Sequence, residues 1–110
     1  MSVAIDKKVL VSQLKMAISE YANWSYGYVD RLSDEPIIEG GFGEPRTGYW
    51  QIEIRHLQRW QEGDADVIQL HVAINDGYTT IGGVIEYYSN GVASFSGKLA
   101  EFVDGVPREI

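Results

Sequence analysis

The sequence contains no cysteine, which excludes disulfides and cysteine-ligated zinc. That absence fits the cytoplasmic location the chain is expected to have. No apolar run is long enough to span a bilayer as a helix, and the N-terminus lacks the basic region and apolar core of a secretory signal. Basic residues are scarce, with 9 Lys and Arg against 16 Asp and Glu and a net charge of −7. Nonspecific contacts with nucleic acid or an anionic membrane draw on Lys and Arg, so neither is an expected partner. A basic protein partner suits the same charge. The length of 110 residues and a hydrophobic share of 45% predict a single domain over 1–110.

Motifs that carry chemistry are also missing. Gly40-Gly41-Phe42-Gly43 has the glycines of a phosphate loop, but no Gly-Lys-Ser or Gly-Lys-Thr closes it. The chain continues into Pro45 and a strand, not a helix, so a mobile connection or hairpin loop is expected. His56 and His71 lack a second histidine at ligand spacing, and no EF-hand order links Glu62, Asp64 and Asp66. The sequence therefore implies no metal, no cofactor and no catalytic residue. An enzyme would have to use His71 with Glu53, Arg55 or Glu86, all expected on one open sheet face.

Alternation is the pattern the chain does carry. Trp50, Ile52 and Ile54 alternate with Gln51, Glu53 and Arg55, and Ile68, Leu70, Val72 and Ile74 with Gln69, His71 and Ala73. Ile81, Gly83, Ile85 and Tyr87 form a third run, and Ala93, Phe95, Gly97 and Leu99 a fourth. Period-two patterning of this length marks strands with one buried face. Asp76-Gly77 and Asn90-Gly91 supply hairpin turns. Keeping the large aliphatics on one face predicts a two-residue loop at Asp76-Gly77, pairing Val72 with Ile81 and Ile68 with Ile85. The same test predicts a three-residue loop from Ser89 to Gly91, with Gly91 left-handed and pairs Ile85–Phe95, Glu86–Ser94 and Ile81–Leu99. Strand is preferred to helix as far as Leu99. Beyond it, Asp104-Gly105 signals a turn and Pro107 argues against a central strand.

Val9, Leu10, Leu14, Ala17, Ile18 and Tyr21 recur at helical spacing, which predicts one helix from about Asp6 to about Asn23. Asp6 is its expected N-cap and Ile5 a staple on Leu10. Residues 24–47 carry weak signals, with an edge strand expected near Pro36–Glu39, and 56–66 read as a second loop. The fold class is α+β, an N-terminal helix packed on a four- or five-stranded antiparallel meander. Its element order resembles the cystatin-like topology, although no cystatin motif is present.

Trp24, Tyr26 and Tyr28 come just after the helix, and Trp60 lies in the second loop. Such aromatics either close the end of the core or anchor a protein interface. With Asp30, Asp34, Glu35, Glu62 and Asp64 beside them, they form the expected contact surface for a basic partner. The leading expectation is a small binding protein without enzymatic activity that occludes its partner, as immunity proteins, antitoxin-like inhibitors or phage counter-defence proteins do. The alternative is a small-ligand module with a pocket between sheet and helix lined by Trp50, Tyr87 and Phe95, where Gly82, Gly83 and Gly97 allow curvature or space. Open strand edges leave a homodimer available.

Overall fold

The computed structural model describes residues 6–32, 37–42 and 49–110, with the backbone alone for 37–42 and 49. In chain order the elements are α1 (Lys7–Tyr21), α2 (Tyr26–Asp30), β1 (Ile37–Phe42), β2 (Tyr49–Glu62), β3 (Ala65–Asn75), β4 (Thr80–Tyr88), β5 (Ser94–Phe95), β6 (Ala100–Val103) and β7 (Val106–Glu109). The strands form one antiparallel sheet in the order β1-β2-β3-β4-β6-β7, with the short β5 also on β4. The α+β class and the meander agree with the sequence pattern, and the expected count of four or five strands is approximate, since the described residues form seven, several of them short.

Helix α1 begins where Asp6 caps it, its carboxylate accepting from the Lys8 N–H at 2.8 Å. Such a cap contributes about 1 kcal/mol. The helix ends two residues before Asn23. Leu10, Leu14, Ala17, Ile18 and Tyr21 are buried against Ile52, Ile54, Leu70, Ile74, Ile81 and Ile85 of the sheet. An ion pair of 2.7 Å from Lys7 to Glu101 ties the first turn of α1 to β6. The expected staple residue Ile5 lies outside the described residues.

Helix α2 stands where the sequence signals were weak. Ser25 caps it by accepting from the Tyr28 N–H at 3.1 Å, and its Val29 is fully buried in the core. Residues 56–66, read as a loop, instead continue β2 and begin β3. Glu62 pairs with Ala65 across Gly63-Asp64, and Gly63 has φ +59°. Alternation hid this stretch because Leu57 is an extra residue between the pairs His56–Leu70 and Gln58–Gln69, a β-bulge that resets the phase of β2. The long hairpin helps to give a body of 51 × 24 × 22 Å. Gly40, Gly41 and Phe42 belong to the edge strand β1 rather than to a loop, and Gly43 to Pro45 lie outside the described residues.

Two registers differ from expectation by two residues. Ile74 pairs with Ile81 and Leu70 with Ile85, so the β3–β4 loop holds four residues, 76–79. Ile85–Phe95 and Glu86–Ser94 pair as predicted, but Ser96 to Leu99 leave the ladder at Gly97, which has φ +82°. Ile81 then pairs with Glu101 and not with Leu99. Gly91 is not left-handed; among the described residues positive φ falls at Gly63, Gly77, Gly97, Asp104 and Gly105. Asp104-Gly105 turns the chain into β7, whose Pro107 is accommodated because this strand is an edge.

Two adjacent glycines on β4 serve opposite faces. A Cβ on Gly83 would stand 2.9 Å from Leu99, 3.1 Å from Phe95 and 3.2 Å from Ile18, so its absence lets α1 approach the sheet. A Cβ on Gly82 would collide with the His71 ring, on the face away from the helix.

Candidate functional site

Three regions are candidates for a functional site, and the first is the end of the molecule where α1 turns into α2. Tyr21, Trp24 and Tyr28 make successive tilted ring contacts, with ring centroids 4.5 Å and 5.0 Å apart. Trp24 and Tyr26 also pack on the core, while Tyr28 is 44% exposed. Beside them a cleft of about 660 Å³ runs between the helix corner and the β4–β5 loop, lined by Trp24, Tyr26, Tyr88 and Val92 among others. Val92 is 87% exposed. The surroundings are acidic. Burial, then the charges of Asp66 and Asp30, push the Tyr26 phenol up. On the opposite face of the sheet, burial, a hydrogen bond to Glu86 and the charges of Glu86 and Glu62 push the Tyr88 phenol up.

The structure thus brings Trp24, Tyr26, Tyr28 and Asp30 together. Asp30 is held by an ion pair with Arg59, which fastens α2 to β2. Trp60 lies in β2, not in a loop, and pairs with Val67 in the row that continues to Tyr88. That row faces away from α2, whereas Arg59 and Ile68 face it. Glu62 and Asp64 sit at the hairpin tip beside it, both exposed. Asp34 and Glu35 lie outside the described residues. Sequence reasoning missed Tyr88 and Val92. The signal for them was the turn at Ser89-Asn90-Gly91, which returns the chain to the same end as the helix corner. Among the described residues no three His, Cys, Asp or Glu side chains are gathered as for a metal ion.

Trp50, Tyr87 and Phe95 do not line one space. Tyr87 is fully buried, and its hydroxyl donates to the Tyr21 carbonyl at 2.6 Å, with burial pushing the phenol up. Phe95 and Trp50 are half-buried against the core. Tyr87 pairs with Ile68, and Ile52 with Ile74. At about 3.3 Å per residue, Trp50 lies roughly 25 Å along the sheet from Tyr87.

The third region is the face of the sheet away from α1. One half is a polar ladder, in which Gln58 donates to Gln69 at 2.9 Å, Gln69 to Glu86 at 3.2 Å and Tyr88 to Glu86 at 3.1 Å. The other half is a groove centred on His71. Arg55 is its direct cross-strand neighbour, Glu53 bonds Arg55 at 2.7 Å, and Phe102 meets the imidazole edge-on at 5.5 Å. Glu86 stands with the ladder, separated from Arg55 and Glu53 by β3. The residues an enzyme would have used are therefore gathered only as far as His71, Glu53 and Arg55.

Burial, then the Arg55 charge, lower the His71 pKa from 6.5, with Glu53 opposing. The neutral ring is favoured in the folded state. Its contribution to stability is complete above pH 6.5 and is lost as pH falls through the lowered folded value. NMR titration should place the His71 midpoint below 6.5. Urea denaturation between about pH 7.5 and pH 5 should show a decline that His71→Gln flattens. A midpoint at or above 6.5 would contradict the burial of this ring.

Comparison with protein-family models, curated proteins and solved structures finds no match. The functional reading rests on the geometry above.

Proposed function

We propose that the protein is a cytoplasmic binding module that occludes a basic protein partner, in the manner of an immunity protein, an antitoxin-like inhibitor or a counter-defence inhibitor. Binding, not catalysis, is its activity. The observation that supports this most is the aromatic end. A run of ring contacts on the core terminates in exposed Tyr28 beside a cleft rimmed by exposed Val92. Rigid aromatics seated on a core lose little entropy on docking and are favoured anchors. The acidic surroundings and the net charge of −7 favour encounter with a basic surface. Among the described residues no helix is long and apolar enough to cross a membrane.

The test is affinity capture from host lysate followed by titration of the captured protein with variants. Tyr28→Ala and Val92→Asp change exposed side chains and should leave the melting temperature near that of the parent. Each should weaken binding, by about thirtyfold if Tyr28 is a hot spot. Added salt should weaken it further. A partner held equally well by the double variant would remove the aromatic end from the interface and refute the assignment.

A further inference from the structure

The face of an antiparallel sheet turned away from its helix is ordinarily solvated and polar. Here half of that face is not. Ala73 is only 9% exposed there, and Val84 and Phe102 are half-buried around the same point. Together they floor a groove of about 740 Å³, within the size range of small-molecule sites. Gly82 offers no Cβ, so the His71 ring occupies the space a side chain would fill, with Phe102 edge-on against it. The bulge of β2 adds Leu57, 49% exposed, to the groove wall. Two structural departures, a bulge and a glycine under an imidazole, thus converge on one concavity.

The charged groups lining the groove are Arg55 and Glu53, and Gln51, His71, Asn75 and Thr80 are its other polar side chains. Arg55 and His71 are cross-strand neighbours on β2 and β3, with Cβ atoms about 5 Å apart, and the His71 ring leans over Gly82 of β4. Arg55 spends one guanidinium nitrogen on Glu53, and its planar fork has further N–H groups. Among the described residues His71 makes a ring contact but no hydrogen bond, and a neutral imidazole carries one N–H to give. Arg55 and Glu53 neutralise each other, and of the two the guanidinium is the more open, its side chain 52% exposed against 36%. An acceptor with two oxygens fits the unspent N–H groups of that fork, and a flat apolar body fits the floor.

We propose that this groove binds a small planar carboxylic acid, its ring on Ala73, Val84 and Phe102 and its carboxylate held by Arg55 with His71 beside it. The site is separate from the aromatic end and stands whether or not that end binds a protein.

The probe is 2-naphthoate, compared with the neutral 2-naphthamide and the cationic 2-(aminomethyl)naphthalene, by calorimetry and by amide shifts on the intact chain. Naphthoate should bind more tightly than the amide, and the amine least of the three. Naphthoate should shift the amides of Ala73, Val84 and Phe102. Arg55→Gln should weaken it about tenfold, the loss of a charge-assisted hydrogen bond. Val84→Trp, which fills the floor, should abolish binding, while Arg59→Gln, outside the groove, should leave it unchanged. Equal affinity for the acid and the amine, no binding of naphthoate, or undiminished binding to Arg55→Gln would each overturn the proposal. Circular-dichroism melts of each variant separate lost binding from lost fold.

Discussion

Gly83→Leu should cost about 3 kcal/mol or more, whereas Gly82→Ala should leave the fold standing and move one imidazole. At Gly83 the first added carbon already falls 2.9 Å from Leu99, 3.1 Å from Phe95 and 3.2 Å from Ile18. Ile18 and Leu99 are buried in the core and Phe95 is packed against it, so making room for a longer side chain disturbs the core. Leucine adds three more carbons to that contact. Against a total stability on the order of 5–15 kcal/mol, this loss should lower the melting temperature by roughly 10–20 °C. At Gly82 the obstacle is the outer end of the His71 ring, and the groove gives that ring somewhere to go. The penalty there should be about 1 kcal/mol or less, partly offset by a less flexible unfolded chain. Moving the ring toward solvent removes the main cause of its lowered pKa, so the His71 midpoint should rise toward 6.5. Thermal melts and imidazole titrations of both variants check this directly. Equal melting points would mean that α1 does not press on Gly83.

The two registers that differ from the sequence expectation show what alternation can and cannot decide. Side chains repeat every two residues, so a slip of one exposes the apolar set and is rejected, while a slip of two keeps every face. Ile81 and Ile85 are inside and His71 and Glu86 are outside in either register, as the pattern required. The actual pairs depend on local turn chemistry, which periodicity does not report. The bulge at Leu57 had the same effect on β2, since it breaks the alternation of a strand that continues. Trp24, Tyr26 and Tyr28 were legible as a cluster because sequence neighbours around Ser25 stay neighbours in space. The groove was not legible. Its floor joins Ala73, Val84 and Phe102 from three strands, and Phe102 reaches Thr80 only after the chain has detoured through Gly97.

Asp76 is where turn chemistry outweighs the simpler hairpin, and Asp76→Ala should cost about 2–3 kcal/mol, the scale of hydrogen bonds to a charged acceptor. Its carboxylate is nearly buried and accepts from the Tyr78 N–H at 2.9 Å and the Thr79 N–H at 2.7 Å, both on Oδ1. Asn75 accepts from the Gly77 N–H at 2.7 Å, and Gly77 takes φ +92° between them. These bonds satisfy the backbone of a four-residue loop from within, so Asn75 pairs with Thr80 and the two-residue alternative gains nothing by forming. Hydrogen bonds to a charged acceptor contribute roughly 1.5–3 kcal/mol each, and two on one oxygen add less than twice that. Alanine removes the acceptor and leaves two loop N–H groups unsatisfied. Asparagine keeps an Oδ1 in the same place, so Asp76→Asn should lose only about 1 kcal/mol, the difference between a charged and a neutral acceptor. Urea denaturation measures the difference, and hydrogen exchange localises it. The Tyr78 and Thr79 amides should lose protection in the alanine variant and retain it in the asparagine variant. If alanine and asparagine prove equally stable, the side chain does not hold the loop, and the register must be set by the strands on either side.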